Sequence, residues 1–280
     1  MAISGGMKLF NKSQCLLADG ASIVSIVSGD ASADFAIDRN ILTFYRSVAS
    51  DDTTTETLEV TFPGSRTISR LLLVDHNFKD FNVKYDVAGV WTDFANVLGL
   101  DGSLASVIET TFADDTAYYE FTAVTTTKIQ VNVLKTQVAN AQKFISQIVV
   151  TDELGTFQGF PDFRPLFDNN SRDKRMLSGR FSVQKGLQTF RGKLRFKRYP
   201  PGSPFNADLD LAFTLFDRLS PFIIWPSGGR RGAAFFDFTL RGFRLKDIFT
   251  CHTRKDLKPM YRDNIYKNPV SLNLDISEVV

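Results

Sequence analysis

Apolar and polar positions alternate with a period of two along most of the first half of the chain, the signature of half-buried strands. Leu58, Val60 and Phe62 alternate with Glu59 and Thr61, and Pro63-Gly64 follows as a turn signal. Leu71 to Val74 is a continuous apolar run of the length expected for a sandwich-core strand. Phe81, Val83 and Tyr85 alternate with Asn82 and Lys84, and Gly89 turns the chain toward Trp91. Ile129, Val131 and Val133 alternate with Lys128, Gln130 and Asn132, and Phe144 to Val150 closes the set. Short alternating strands joined by turns, with little helical periodicity, predict an antiparallel β-sandwich.

The pattern breaks after residue 151. Asp152-Glu153, Gly155, Pro161, Pro165 and the polar run from Asp168 to Arg175 read as a connector. Strands are expected again at Arg180 to Val183, Phe190 to Arg198, Phe222 to Trp225 and Leu272 to Ile276. Between them Leu209, Ala212, Phe213, Phe216 and Leu219 fall at helical spacing and predict a helix over about 207–219. Asn206 suits its N-cap, Asp208 and Asp210 its first turn, Arg218 its last turn, and Pro221 stops it. The predicted organisation is therefore a β-sandwich over 1–152, a connector over 153–175, and a second β domain with one helix over 176–280.

Charge sharpens that division. Residues 153–280 hold 22 basic and 13 acidic side chains (net +9), and residues 1–152 hold 11 basic and 18 acidic (net −7). Opposite signs suit electrostatic complementarity between domains or between subunits. Two distant cysteines, Cys15 and Cys251, argue against a disulfide framework and are expected as small core hydrophobes. No run of apolar residues is long enough for a transmembrane helix, and Met1 to Phe10 does not read as a secretory signal.

The segment from Ala36 to Ser47 carries Asp38, Asn40, Thr43, Tyr45 and Ser47 in an order that resembles the signature of discoidin-like domains, the galactose-binding-like jelly rolls. The succession of strands up to residue 152 follows the same order. The resemblance implies a loop folded around a structural calcium ion, with Asp38 and Thr43 supplying oxygens. The family frequently places a glutamate in the last strand near that ion. Here Gln147 stands there and removes a charge. Calcium takes six to eight oxygens, and the other reading of Asp38 and Thr43 is that they brace a turn. The resemblance also implies carbohydrate binding by loops at one end of the sandwich. The candidates are His76, Asn77 and Phe78, with Arg46 nearby. The alternative is an ordinary polar loop with Phe78 turned into the core.

In the second domain Arg191, Lys193, Arg195 and Lys197 alternate along one strand and so share a face. They are either a solvated outer face or an assembly interface for an acidic neighbour. The order of strands, helix, apolar strand and closing strand resembles the ring-forming domains of tailed-phage tail-tip and distal-tail proteins. That resemblance implies a homo-oligomeric ring of three or six subunits in a virion tail, made in the bacterial host cytoplasm, with neighbouring tail proteins as partners. Nucleic acid is not expected, because the basic residues follow no recognition motif.

Nothing in the chain singles out an enzyme. There are two histidines, His76 and His252, and no nucleophile elbow, phosphate loop or zinc-binding histidine pair. Cys251 and His252 are neighbours on an expected strand and so point to opposite faces. Two functions follow: a structural tail-tip protein with an outward discoidin-like domain, or a free-standing carbohydrate-binding module with an accessory domain.

Overall fold

The computed structural model describes residues 7–29, 32–40, 43–99, 102–157, 162–169, 172–175, 181–184, 188–197, 211, 222–225, 249–253 and 271–278. The chain is mainly β. Its strands in chain order begin with β1 (Met7–Asn11), β2 (Ser22–Ser25), β3 (Tyr45–Arg46), β4 (Glu56–His76), β5 (Phe78–Val87), β6 (Val90–Asp93) and β7 (Val97–Gly99). There follow β8 (Gly102–Leu104), β9 (Ile108–Glu109), β10 (Thr116–Thr136), β11 (Phe144–Thr151), β12 (Glu153–Phe157), β13 (Asp162–Asn169) and β14 (Arg172–Arg175). The last are β15 (Phe181–Gln184), β16 (Gln188–Lys197), β17 (Phe222–Trp225), β18 (Phe249–Thr253) and β19 (Ser271–Glu278). The chain folds as two compact units, one built on Phe10–Leu154 and the other on Gly155–Trp225 and Phe249–Val280 with Gly6–Leu9.

The first unit is organised by two 21-residue strands, β4 and β10, paired antiparallel. The sheet runs β3-β11-β4-β10-β5-β6, with β2 added on β4, β7 on β10 and β9 on β5. The register of the β4–β10 ladder shifts between Glu120 and Val124 and again between Thr126 and Lys128. The first irregularity lies opposite Ser69 and the second opposite the stretch from Phe62 to Ser65, and together they divide the ladder into two halves, since bulges bend strands and increase their twist. The first half of β4 pairs with β2 and the second with β11. Inward residues of both halves, among them Leu58, Val60, Phe62, Ile68, Leu71 and Leu73, meet Ile129, Val131, Val133 and Ile148 in one buried cluster. The expected sandwich strands are all present, but Pro63-Gly64 lies within β4 and does not end it.

Phenylalanine fills that core. Phe94 lies 4.1 Å from Phe121 and 4.9 Å from Tyr85, and Phe81 meets Phe112 edge-on at 5.6 Å. Rings at these separations add to the stabilisation from buried area alone. The β5–β6 hairpin closes with Val87 opposite Val90, so Ala88-Gly89 forms a two-residue turn. Both turn residues have positive φ, 52° and 88°, the conformation that matches the twist of the flanking strands.

The second unit contains a seven-stranded sheet in the order β12-β1-β17-β18-β19-β16-β13. The strands expected at 180–183, 190–198, 222–225 and 272–276 correspond to β15, β16, β17 and β19. Residues 153–175, read as a connector, carry β12, β13 and β14. Proline was the misleading signal. Pro165 lies within β13, the edge strand of the sheet, where a residue lacking an N–H is tolerated. The helix expected over 207–219 lies outside the described residues except for Leu211, which is helical. No helix among the described residues is long and apolar enough to cross a membrane.

Candidate functional site

The short strand β3 pairs with the start of β11, bringing Arg46 opposite Phe144 and Tyr45 opposite Ile145. Residues directly opposite share a face, so alternation decides what each side chain meets. Tyr45 turns inward, fully buried, with its hydroxyl 3.1 Å from Ser25 Oγ. Burial, with Glu56 nearby, raises that phenol to about 12. Arg46 turns outward and is exposed. Its guanidinium carbon lies 5.6 Å from the centroid of Phe44 and 5.4 Å from that of Phe144. The two rings meet edge-on at 5.8 Å, inclined at 83°. An arginine within about 6 Å of a ring centroid is held by the ring quadrupole. Among the described residues no carboxylate pairs with the Arg46 guanidinium, and its donors remain available.

Asn77 supports this platform from behind. Its side-chain oxygen accepts the backbone N–H of Phe144 at 3.0 Å, and its side-chain nitrogen donates to the carbonyl of Gln142 at 2.7 Å. The buried Lys143 completes the support. Its ammonium donates to the carbonyls of Asp51 at 2.6 Å and Thr54 at 2.9 Å, and its backbone N–H donates to Ser47 Oγ at 2.9 Å. Two of the residues expected at a sugar site, Arg46 and Asn77, are thus joined through Phe144. The sequence reading missed Phe144 and Phe44. The signal for Phe144 was an aromatic residue opening the last strand of the sandwich.

The other two expected contacts, His76 and Phe78, are corrected by their burial. His76 is 1% exposed and Phe78 not at all. Only Asn77 separates β4 from β5, so the expected surface loop is a tight crossing whose flanking side chains turn inward. His76 packs against Phe78, Phe112 and Phe81 at 4.9, 5.4 and 5.8 Å. Burial depresses its pKa to about 3, so the ring is neutral. Neither side chain reaches a ligand at the surface.

The loop proposed for calcium also has a different chemistry. Asp38 Oδ2 accepts the hydroxyl of Thr43 at 2.8 Å, and Asp38 Oδ1 accepts the N–H of Asn40 at 2.7 Å. The side-chain nitrogen of Gln147 donates to Asp38 Oδ1 at 2.8 Å and to the carbonyl of Phe35 at 2.9 Å. An ion there would need six or more oxygens, whereas an N–H donor already faces the available ones. The residues present do not fit a calcium ion, and Asp38 and Thr43 act as a turn brace. Among the described residues no group of three or more His, Cys, Asp or Glu side chains could hold a metal ion.

In the second unit Arg191, Lys193, Arg195 and Lys197 occupy alternate positions of β16, which is paired on both sides. Lys193 registers with Arg164 and Asp275, and Arg195 with Asp162 and Asn273. Acidic residues therefore stand at register positions beside two of the four. Cys251 registers with Phe222 and Glu278, and His252 with Ser277, successive positions on β18.

No family model matches the chain, and no curated protein matches it. Solved structures resemble about half of it. A family 32 carbohydrate-binding module from C. perfringens NanJ, in complex with galactose, aligns at 16% identity over 50% of this chain and 98% of its own, with a TM-score of 0.39. A chitosan-binding module from a Paenibacillus sp. IK-5 chitosanase/glucanase aligns at 15% identity over 50% and 98%, with a TM-score of 0.39. SpGH29 aligns at 19% identity over 51% of this chain, with a TM-score of 0.39, and the chain spans 28% of its length. At these scores the functional reading rests on the residues themselves.

Proposed function

We propose that the first unit is a non-catalytic carbohydrate-binding module whose contact surface is Phe44, Arg46 and Phe144, with Asn77 holding Phe144 in place. The exposed guanidinium stacked on two rings carries this reading. Sugar-binding surfaces combine an aromatic face, which covers the C–H face of a pyranose, with a few fixed polar groups. Arg46 supplies fixed donors for hydroxyl or carboxylate oxygens, and its stacking limits the conformational freedom lost on binding. Screening the purified chain against an array of neutral and acidic glycans tests the proposal. Retention of a defined glycan class is expected, and absence of binding across the array contradicts it.

A second reading concerns assembly. Four basic residues at alternate positions of one central strand, in a half of the chain that is net positive, suit a contact with an acidic neighbour. In this reading the second unit builds a homo-oligomeric ring at a virion tail tip. Its support is the charge division and the architectural resemblance described above. Mass photometry at low and high salt tests it: closed oligomers at low salt support the ring, and a monomer at both salts counts against self-assembly by this face.

A further inference from the structure

Gln147 is 5% exposed on β11, and its carboxamide reaches into the loop that runs from Phe35 to Thr43. Three oxygens converge on its nitrogen: Asp38 Oδ1 at 2.8 Å, the Phe35 carbonyl at 2.9 Å and the Asn40 carbonyl at 3.3 Å. The hydroxyl of Thr43 lies 2.7 Å from that Asn40 carbonyl and 2.8 Å from Asp38 Oδ2. Oxygens that converge on one point, one of them from a carboxylate, form a cation's environment. An NH₂ group has two protons for three acceptors, so it fills this environment without saturating it.

The orientation of the amide follows from its partners. Its oxygen accepts the backbone N–H of Arg39 at 3.0 Å. Rotating the group would aim its oxygen at three oxygens and its N–H at another N–H. The contact also secures an unusual backbone. Arg39 has φ of 68°, a left-handed conformation that a residue with a β-carbon adopts at a cost.

We infer that the carboxamide of Gln147 substitutes for a bound cation, making the 35–43 loop independent of metal, and that Gln147→Glu alone converts it into a calcium site. The exchange replaces the N–H donor with a second carboxylate. Asp38 Oδ1, the new carboxylate and the Phe35 and Asn40 carbonyls would then face one another with no N–H between them, and an ion would enter as the glutamate draws back from the position that the nitrogen now takes. Without an ion, those oxygens repel one another and the loop is destabilised.

The 280-residue chain, stripped with EDTA, is titrated with calcium chloride by calorimetry, and its thermal unfolding is followed in EDTA and in millimolar calcium. The wild type is expected to bind no ion and to unfold at the same temperature in both solutions. Gln147→Glu is expected to unfold earlier than wild type in EDTA, to bind one calcium ion, and to gain roughly 5 °C or more when it does. Stoichiometric calcium binding by the wild type overturns the inference. So does a Gln147→Glu protein that calcium does not stabilise, or one that fails to fold in calcium and EDTA alike. The wild-type titration tests the metal independence of the loop without the variant, and neither arm depends on whether the first unit binds a glycan.

Discussion

The backbone N–H of Phe78 donates to Nδ1 of His76 at 3.0 Å. The proton of the neutral ring therefore sits on Nε2, which is buried without a hydrogen-bond partner. Protonating Nδ1 would break the bond to Phe78 and place a charge among three phenylalanines. This relationship fixes both the role of His76, a core residue, and the sign of its effect on stability. Its pKa falls from 6.5 unfolded to about 3 folded because burial disfavours the cation. Above pH 6.5 both states are neutral and stability is at its full value. As pH falls from 6.5 toward 3 the unfolded state takes up a proton that the folded state refuses. Stability then declines by up to about 1.4 kcal/mol per pH unit. Chemical denaturation between pH 7 and pH 4 should show this one-proton slope, and His76→Phe should reduce it by that amount. An unchanged slope in the variant would assign the acid sensitivity elsewhere.

Lys143 is 1% exposed and satisfies the carbonyls of Asp51 and Thr54. Lys143→Met keeps the length of the chain and removes the donors, leaving two carbonyls to find water. The expected loss is about 2–4 kcal/mol, read from urea unfolding. Because Lys143 lies next to Phe144 in sequence and its backbone is bonded to Ser47, glycan binding should fall with it. A loss below about 0.5 kcal/mol, the ordinary range of a surface change, would show that the lysine does not organise the loop.

Ala88 occupies the first position of the β5–β6 turn with φ of 52°. An alanine pays a penalty there that asparagine largely avoids. Ala88→Asn is predicted to stabilise the protein by about 0.5–1 kcal/mol, as a higher midpoint of unfolding with an unchanged denaturant slope. A neutral or destabilising result would mean that the turn is not type I′ in solution.

The same positions show what sequence could and could not reveal. Alternation at 58–62, 81–85 and 129–133 placed strands correctly because one face of each is buried. Strand length escaped it, because Pro63-Gly64 looks like a turn in isolation yet lies at a bend within a paired strand. Burial of His76 and Phe78 escaped it too. A polar-aromatic run reads as a loop unless one knows that both flanking strands pair with β10. Asp38 and Thr43 were legible as a pair, and Gln147 was noticed as a lost charge. The direction of its amide depends on contacts more than 100 residues apart and could come only from the fold. Pro165 misled in the opposite sense, since an edge strand accepts what a central one excludes.

Cys15 is fully buried, and its thiol donates to the carbonyl of Ile148 at 3.1 Å. Burial raises its pKa to about 11, so almost no thiolate exists at neutral pH. In a Cys251→Ser background, a thiol reagent should label Cys15 only at the rate of unfolding. Rapid stoichiometric labelling of the native protein would contradict the buried assignment.

The central claim is that Phe44, Arg46 and Phe144 form a glycan-contacting surface, and binding by matched variants tests it most directly. Affinity for the best glycan on the array would be measured for the wild type, Arg46→Ala, Phe144→Ala and Arg46→Lys, each shown to be folded by its unfolding midpoint. The account predicts that the wild type binds and that each alanine variant loses about tenfold or more, roughly 1.4 kcal/mol. Arg46→Lys should recover only part of the loss, because an ammonium lacks the planar stack. Folded variants that bind as tightly as the wild type, or a wild type that binds no glycan, would contradict it.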